Sequence, residues 1–127
     1  MKTAVLICPG RGTYTKTELG SLRGFPNPAL LADFDQRRAA KGQETLTALD
    51  SAASYTVAKH TRGDNASALI YACTLGDALS LSNVKITAVT GNSMGWYSAL
   101  ACAGALSGRR RPACICSCAK GTCRQRK

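Results

Sequence analysis

One serine of this chain sits in a setting that can make its hydroxyl a nucleophile. Ser93 is flanked, two residues away on either side, by Gly91 and Gly95, which gives the pattern Gly-x-Ser-x-Gly. In a turn between a strand and a helix, such glycines leave room for a strained serine whose hydroxyl projects at the helix N-terminus. That position favours developing negative charge. The expected chemistry is nucleophilic attack by the serine oxygen.

The residues around this pattern predict the strand and the helix that it requires. An apolar run at 84–90, rich in β-branched residues, predicts a buried strand, and the small residues of 96–106 predict a helix that packs closely on it. A second apolar run at 3–8, ended by Pro9 and Gly10, predicts another buried strand. Strand, helices, strand, helix is the order of a parallel α/β sheet, which places the active loops at the carboxyl ends of the strands.

Helical spacing fills the segment between the two strands. Asn27 as N-cap and Pro28 at the first helical position predict a first helix that ends near Gly42. A second helix is predicted over 44–58, followed by an exposed stretch at 59–63. The apolar positions with helical spacing in this second segment are Leu46, Leu49, Ala53 and Val57.

A third helix is expected to start at a cap formed by Asp64 or Asn65. Gly76 would let this helix approach a neighbour closely. Its predicted apolar face consists of Leu69, Ala72, Cys73 and Leu79.

Two motifs resemble the malonyl-CoA:acyl-carrier-protein transacylases, also called ACP S-malonyltransferases. Residues 91–107, which begin Gly-Asn-Ser-Met-Gly-Trp-Tyr-Ser-Ala-Leu, look like the family's acyltransferase signature. Residues 4–12 resemble its first strand and Pro-Gly-Gln-Gly loop. The resemblance covers residues 1–107 and implies the N-terminal part of the acyltransferase fold, with flanking helices and a nucleophile elbow.

The resemblance also implies a reaction and its partners. Ser93 would take a malonyl group from CoA and pass it to an acyl carrier protein thiol, in fatty acid or polyketide biosynthesis, without a cofactor. Backbone N–H groups of Met94 and Arg11 would hold the oxyanion. The residues expected at the substrate are Gly10, Gly12, Asn92 and Trp96.

The chain departs from the family pattern in ways that bear on activity. Arg11, Asn92 and Trp96 stand where the family usually has Gln, His and Glu. The family's downstream base histidine and malonyl-binding arginine have no counterpart, and the single histidine, His60, lies outside the motifs and is expected to be exposed at a helix end. The chain alone is therefore expected to be a truncated, inactive relative.

Composition changes abruptly at Gly108. Residues 1–107 carry ten Lys/Arg and seven Asp/Glu, whereas residues 108–127 carry seven Lys/Arg, no acid and four of the seven cysteines. This tail has too few apolar residues to fold and is expected to be disordered. Its composition is typical of a shifted reading frame. The alternative is a module that binds zinc or nucleic acid, although the cysteine spacing and the lack of aromatic residues in the tail count against both.

No metal site is predicted in residues 1–107, and no run of about 20 apolar residues could span a membrane. Without a signal-peptide pattern, the expected location is the cytoplasm.

Because α/β-hydrolases and thioesterases share Gly-x-Ser-x-Gly, a serine hydrolase is the alternative enzyme class. The Pro-Gly-Arg-Gly loop at 9–12 and the Tyr-Ser-Ala-Leu sequence at 97–100 favour the transferase.

Overall fold

The computed structural model of the chain describes residues 2–103. The tail predicted over 108–127, with its zinc and nucleic-acid alternatives, lies outside these residues. Residues 104–106 of the helix predicted over 96–106 lie outside as well, and the described part of that helix ends at Cys102.

Two parallel strands form the sheet, as the sequence predicts. The prediction that both strands are buried is wrong: apart from Cys8, their residues are half-buried or exposed, because the described helices leave one face of the sheet uncovered. Strand β1 (Lys2–Cys8) pairs with β2 (Val84–Gly91), so that the carboxyl ends of both strands lie at the same edge. The register is interrupted between Ala4 and Val5. Within residues 2–103 the sheet has only these two strands.

Five α-helices and one 3-10 turn, Lys16–Glu18, complete the described part of the chain. The core lies mainly between α4, α1 and α2, and α5 packs against both strands. The helices are α1 (Pro28–Ala40), α2 (Leu46–Asp50), α3 (Val57–His60), α4 (Gly63–Ser80) and α5 (Gly95–Cys102).

Helix α1 begins where the sequence predicts. The Asn27 side chain accepts a hydrogen bond from the Leu30 N–H at 3.2 Å, and Pro28 occupies the first turn. Phe34 on the inner face is buried, with its ring centroid 5.9 Å from that of Tyr71 in α4. Leu30 and Leu31 pack against the same core, so the inner face of this helix is apolar.

The single helix predicted over 44–58 is wrong, because the structure has two short helices there. Helix α2 ends at Asp50, whose carboxylate accepts hydrogen bonds from the Tyr14 hydroxyl and the Leu22 N–H. Val57, placed on the buried face by its spacing, is 68% exposed. The hydrogen bonds of Asp50 with residues distant in the chain therefore end the helix, although the apolar spacing continues.

The start and the outer end of α4 also differ from the prediction. The helix begins at Gly63 with Arg62 at the cap position, so neither predicted residue caps it. Asp64 lies in the first turn, where hydrogen bonds from Arg62 keep the pKa of its carboxyl below the usual range. Leu79 is 47% exposed, and Leu75 is buried instead.

Gly76 does permit a close approach, although to a side chain rather than to another helix. A Cβ atom there would lie 2.9 Å from the ring of Phe25, which is buried in the core. The glycine therefore makes room for an aromatic ring from the loop before α1.

One face of the sheet is open to solvent in the described structure. Val5 and Ile7, which alternate along β1, are 56% and 72% exposed. Among residues 2–103 no helix has the length and apolar character that crossing a membrane requires.

Candidate functional site

The connection from β2 to α5 holds Ser93 in an unusual backbone conformation. Strand β2 ends at Gly91 and α5 begins at Gly95, so only three residues separate them. Ser93 has φ of 54°, in the left-handed region that non-glycine residues seldom adopt. Such a conformation costs about 1–3 kcal/mol and persists only where the surrounding structure imposes it. The Ser93 side chain is exposed, as a nucleophile requires.

The loop after β1 packs directly against this turn. The Asn92 N–H donates a hydrogen bond to the Cys8 carbonyl at 3.2 Å, which ties the ends of the two strands together. A Cβ atom on Gly10 would lie 2.8 Å from the Asn92 carbonyl oxygen and 3.4 Å from the Ser93 Cβ atom. The two sequence motifs, which are far apart in the chain, therefore meet at the carboxyl edge of the sheet.

The glycines on either side of Ser93 are required by close backbone contacts. A Cβ atom on Gly95 would lie 2.2 Å from the Cys8 carbonyl oxygen, and one on Gly91 would lie 2.2 Å from the Gly95 carbonyl carbon. Because these neighbours are backbone atoms, they cannot move aside as a flexible side chain can. The Gly-x-Ser-x-Gly spacing thus reflects the packing of β1, β2 and α5.

Two backbone amides near the turn have no hydrogen-bond acceptor in the described part of the chain. The N–H groups of Arg11 and Met94 donate to no acceptor within residues 2–103. Met94 occupies the cap position of α5, where helical N–H groups are unsatisfied. Arg11 follows Gly10, whose carbonyl accepts a hydrogen bond from the Thr13 hydroxyl at 3.1 Å.

The other residues predicted at the substrate surround the same turn. Asn92 lies directly before Ser93, and Gly12 follows Arg11 with φ of 89°. The indole of Trp96, in the first turn of α5, is 54% exposed. The arrangement brings one exposed hydroxyl, two free amides and an exposed aromatic ring to one edge of the sheet.

His60 is fully buried, so the prediction of an exposed helix-end histidine is wrong. Its Nε2 lies 2.9 Å from the Leu49 carbonyl oxygen, which can only accept, and therefore carries a hydrogen. Its Nδ1 lies 3.1 Å from both the N–H nitrogen and the carbonyl oxygen of Thr56. The ring stacks on Tyr55, with centroids 4.9 Å apart. Both nitrogens are engaged by the backbone, and neither reaches the Ser93 hydroxyl.

A buried polar cluster beside the site was not predicted from the sequence. Tyr14, only three residues after Arg11, donates a hydrogen bond from its hydroxyl to Asp50 at 2.6 Å, and its ring stacks on His60. Burial and the contact with Asp50 raise the pKa of the Tyr14 hydroxyl above its usual value. No local pattern marks these residues, because their partners are distant in the chain.

An open groove of about 220 Å³ lies between β1 and α4, next to the Gly10 loop. It is lined by apolar residues together with Glu18, Asp77 and the thiol of Cys73. Burial is the main cause that raises the pKa of Cys73 to about 12, so this thiol stays protonated at neutral pH. Ser93 is not among the residues that line the groove.

The mixed fold with its small parallel sheet matches part of an acyltransferase fold. The chain is similar to a solved structure, the acyl-carrier-protein S-malonyltransferase from Burkholderia pseudomallei 1710b, with a TM-score of 0.55 and 22% sequence identity. The match covers 94% of this chain and 38% of that chain. No protein-family model matches the sequence. The curated proteins contain no match to it either.

Proposed function

We propose that the turn around Ser93 is a nucleophile elbow and that Ser93 accepts an acyl group from a CoA thioester. The observation that carries the proposal is the left-handed φ of 54° at an exposed serine between β2 and α5. Strained backbone of this kind concentrates at functional sites. The similarity to an acyltransferase fold supports the same class of chemistry.

In the proposed reaction, the Ser93 oxygen attacks the thioester carbonyl carbon, and its proton passes to a base. The negative charge on the carbonyl oxygen of the tetrahedral intermediate is stabilised by the Arg11 and Met94 amides. The carbon–sulfur bond then breaks, CoA leaves as its thiol after taking a proton, and acyl-Ser93 remains. In the second half, a carrier-protein thiol attacks the ester and the serine recovers its proton.

The malonyl group and the acyl carrier protein enter this proposal through the sequence resemblance and the name of the similar structure. Gly10, Gly12, Asn92 and Trp96 are proposed to border the substrate, because they surround the serine or belong to the adjoining loop. The exposed Trp96 indole offers an apolar wall. The cytoplasmic location and the lack of a cofactor stay predictions.

Replacing Ser93 with alanine is expected to abolish acylation of the protein by malonyl-CoA, because Ser93 supplies the attacking oxygen in the proposed reaction. The full chain is incubated with malonyl-CoA, and the adduct is located by peptide mass spectrometry. Ser82→Ala, which removes an exposed serine just before β2, is the matched control and should acylate like the parent. An adduct that persists in Ser93→Ala would contradict the proposal.

The same incubation separates a transferase from a serine hydrolase. Transfer of malonyl to a carrier-protein thiol supports the proposed reaction. Release of free malonate at the same rate with and without that thiol would instead assign the site to a hydrolase or thioesterase.

Arg11 is expected to act through its backbone, so Arg11→Gln should change the rate of Ser93 acylation by less than about tenfold. The reason is that the substitution keeps the amide and alters only an exposed side chain. The rate is measured from the intact mass at successive times. A change of about a hundredfold or more, comparable to gaining or losing an oxyanion donor, would show that the side chain takes part.

A further inference from the structure

We infer that Tyr14, anchored by Asp50, is a positioning residue that holds the loop after β1 against the Ser93 turn. The inference rests on the proposed function, because it assigns to a buried cluster the task of placing the Arg11 amide. The part of the inference that concerns structure alone is that the backbone of residues 10–12 is ordered because the Tyr14 hydroxyl is held by Asp50.

The Tyr14 hydroxyl is fixed by a short hydrogen bond inside the protein. The side chain is 4% exposed, and its hydroxyl donates to Asp50 Oδ1 at 2.6 Å. The second carboxylate oxygen, Oδ2, accepts from the Leu22 N–H at 2.9 Å. The carboxylate of Asp50, which is 2% exposed, therefore fixes both Tyr14 and the segment that follows the 3-10 turn.

The ring and the backbone of Tyr14 are held as well. Its ring lies parallel to that of His60, with an interplanar angle of 4° and centroids 6.3 Å apart. His60 is itself fixed by its 2.9 Å contact with the Leu49 carbonyl oxygen. The Tyr55 hydroxyl donates to the Tyr14 carbonyl oxygen at 3.4 Å, a long contact. Most of the restraint therefore comes from the Asp50 hydrogen bond and the ring packing.

The loop needs such an anchor because two of its residues are glycines. Gly10 and Gly12 give the backbone around Arg11 more conformational freedom than any other residue type would. The loop is fixed at one end by β1 and at the other by Tyr14. The Thr13 hydroxyl bonds to the Gly10 carbonyl at 3.1 Å between these two points. Losing the hydrogen bond to Asp50 leaves only the packing of the Tyr14 ring to hold this end of the loop.

The test is a measurement of backbone order by ¹⁵N relaxation in the full chain. In Tyr14→Phe, the order parameters of the Gly10, Arg11 and Gly12 amides should fall from about 0.85, typical of rigid backbone, to below about 0.6. Those of α4 should not change. The rate of Ser93 acylation should fall about tenfold in the same variant, because the oxyanion donor is no longer held in place.

Two controls separate positioning from general stability. Tyr55→Phe removes a hydroxyl from the same cluster but only the 3.4 Å contact, and should leave the loop ordered. Asn27→Ala removes the α1 cap and lowers stability without touching the loop. Unchanged order in Tyr14→Phe, or an equal loss of order in α4, would overturn the inference.

The outcome for the loop is independent of the outcome for the serine. If the parent chain forms no adduct at Ser93, the proposed function fails, whereas the relaxation data still decide whether Tyr14 orders the loop. Should Tyr14→Phe not fold, Asp50→Leu provides the second variant, because an apolar side chain of similar size forms neither the Tyr14 nor the Leu22 hydrogen bond. It is expected to loosen the same three amides.

Discussion

Gly95→Ala is expected to destabilise the protein by about 3 kcal/mol or more, at the upper end of what overpacking costs, and to abolish acylation of Ser93. The added methyl group would lie 2.2 Å from the Cys8 carbonyl oxygen and 2.9 Å from the Pro9 carbonyl oxygen. Relief requires α5 to move away from the end of β1. That movement would break the arrangement that holds Ser93 in its left-handed conformation. Urea unfolding and adduct mass spectrometry measure the two effects.

Gly63→Ala is the matched control for this substitution. Gly63 is in the first turn of α4, and a Cβ atom there meets nothing within 4 Å. Because alanine favours a helix more than glycine does, the control should be neutral or stabilising by up to about 1 kcal/mol. If Gly95→Ala unfolded at the same urea concentration as the parent, the close contact between α5 and β1 could not be what sets the turn.

Both strands and α1 could be predicted from local sequence alone. An apolar run such as the one that forms β1 indicates a strand, although the predicted burial of that strand is not observed. The Asn27 and Pro28 pair marks a helix start through its own backbone chemistry. The interactions that start such a helix are between residues only a few positions apart in the sequence. For α5 the start was predicted to within one residue, because Gly95 lies inside the motif.

The region from α2 to α3 could not be predicted in this way. Its helical spacing is real, but Asp50 turns inward to Tyr14 and Leu22, which are 36 and 28 residues away. A charged residue at a helical position normally indicates a solvated face, and here it ends the helix inside the core. The burial of His60 depends on the same cluster and was missed for the same reason.

The candidate site shows the same division. The glycines on either side of Ser93 are required by close backbone contacts, so their spacing in the sequence predicts the position of the serine. The Gly10 loop could be predicted because of the family resemblance. Nothing local reports that Tyr14 restrains this loop. The residues proposed to act on the substrate could be found from a motif, whereas those that contact the motif from distant parts of the chain became visible only in the tertiary structure.

Dissolved imidazole is expected to raise the rate of Ser93 acylation at least tenfold, because residues 2–103 place no general base beside the serine. His60 is the only histidine in the sequence, is fully buried, and has both ring nitrogens engaged by backbone groups. No residue among 2–103 makes a hydrogen bond with the Ser93 hydroxyl. A positioned base typically contributes about 10²- to 10⁴-fold, so without one the unaided reaction should be slow.

The rate of adduct formation is followed by intact mass at several imidazole concentrations, with Ser93→Ala as the control for acyl transfer to other groups. His60→Gln, in the fraction that stays folded by circular dichroism, should acylate at the parent rate and respond equally to imidazole. Three observations together would assign the role of base to His60. They are fast acylation of the parent, no increase in rate with imidazole, and an acylation rate at least a hundredfold lower in folded His60→Gln. That outcome would require the ring to leave its contact with the Leu49 carbonyl during the reaction.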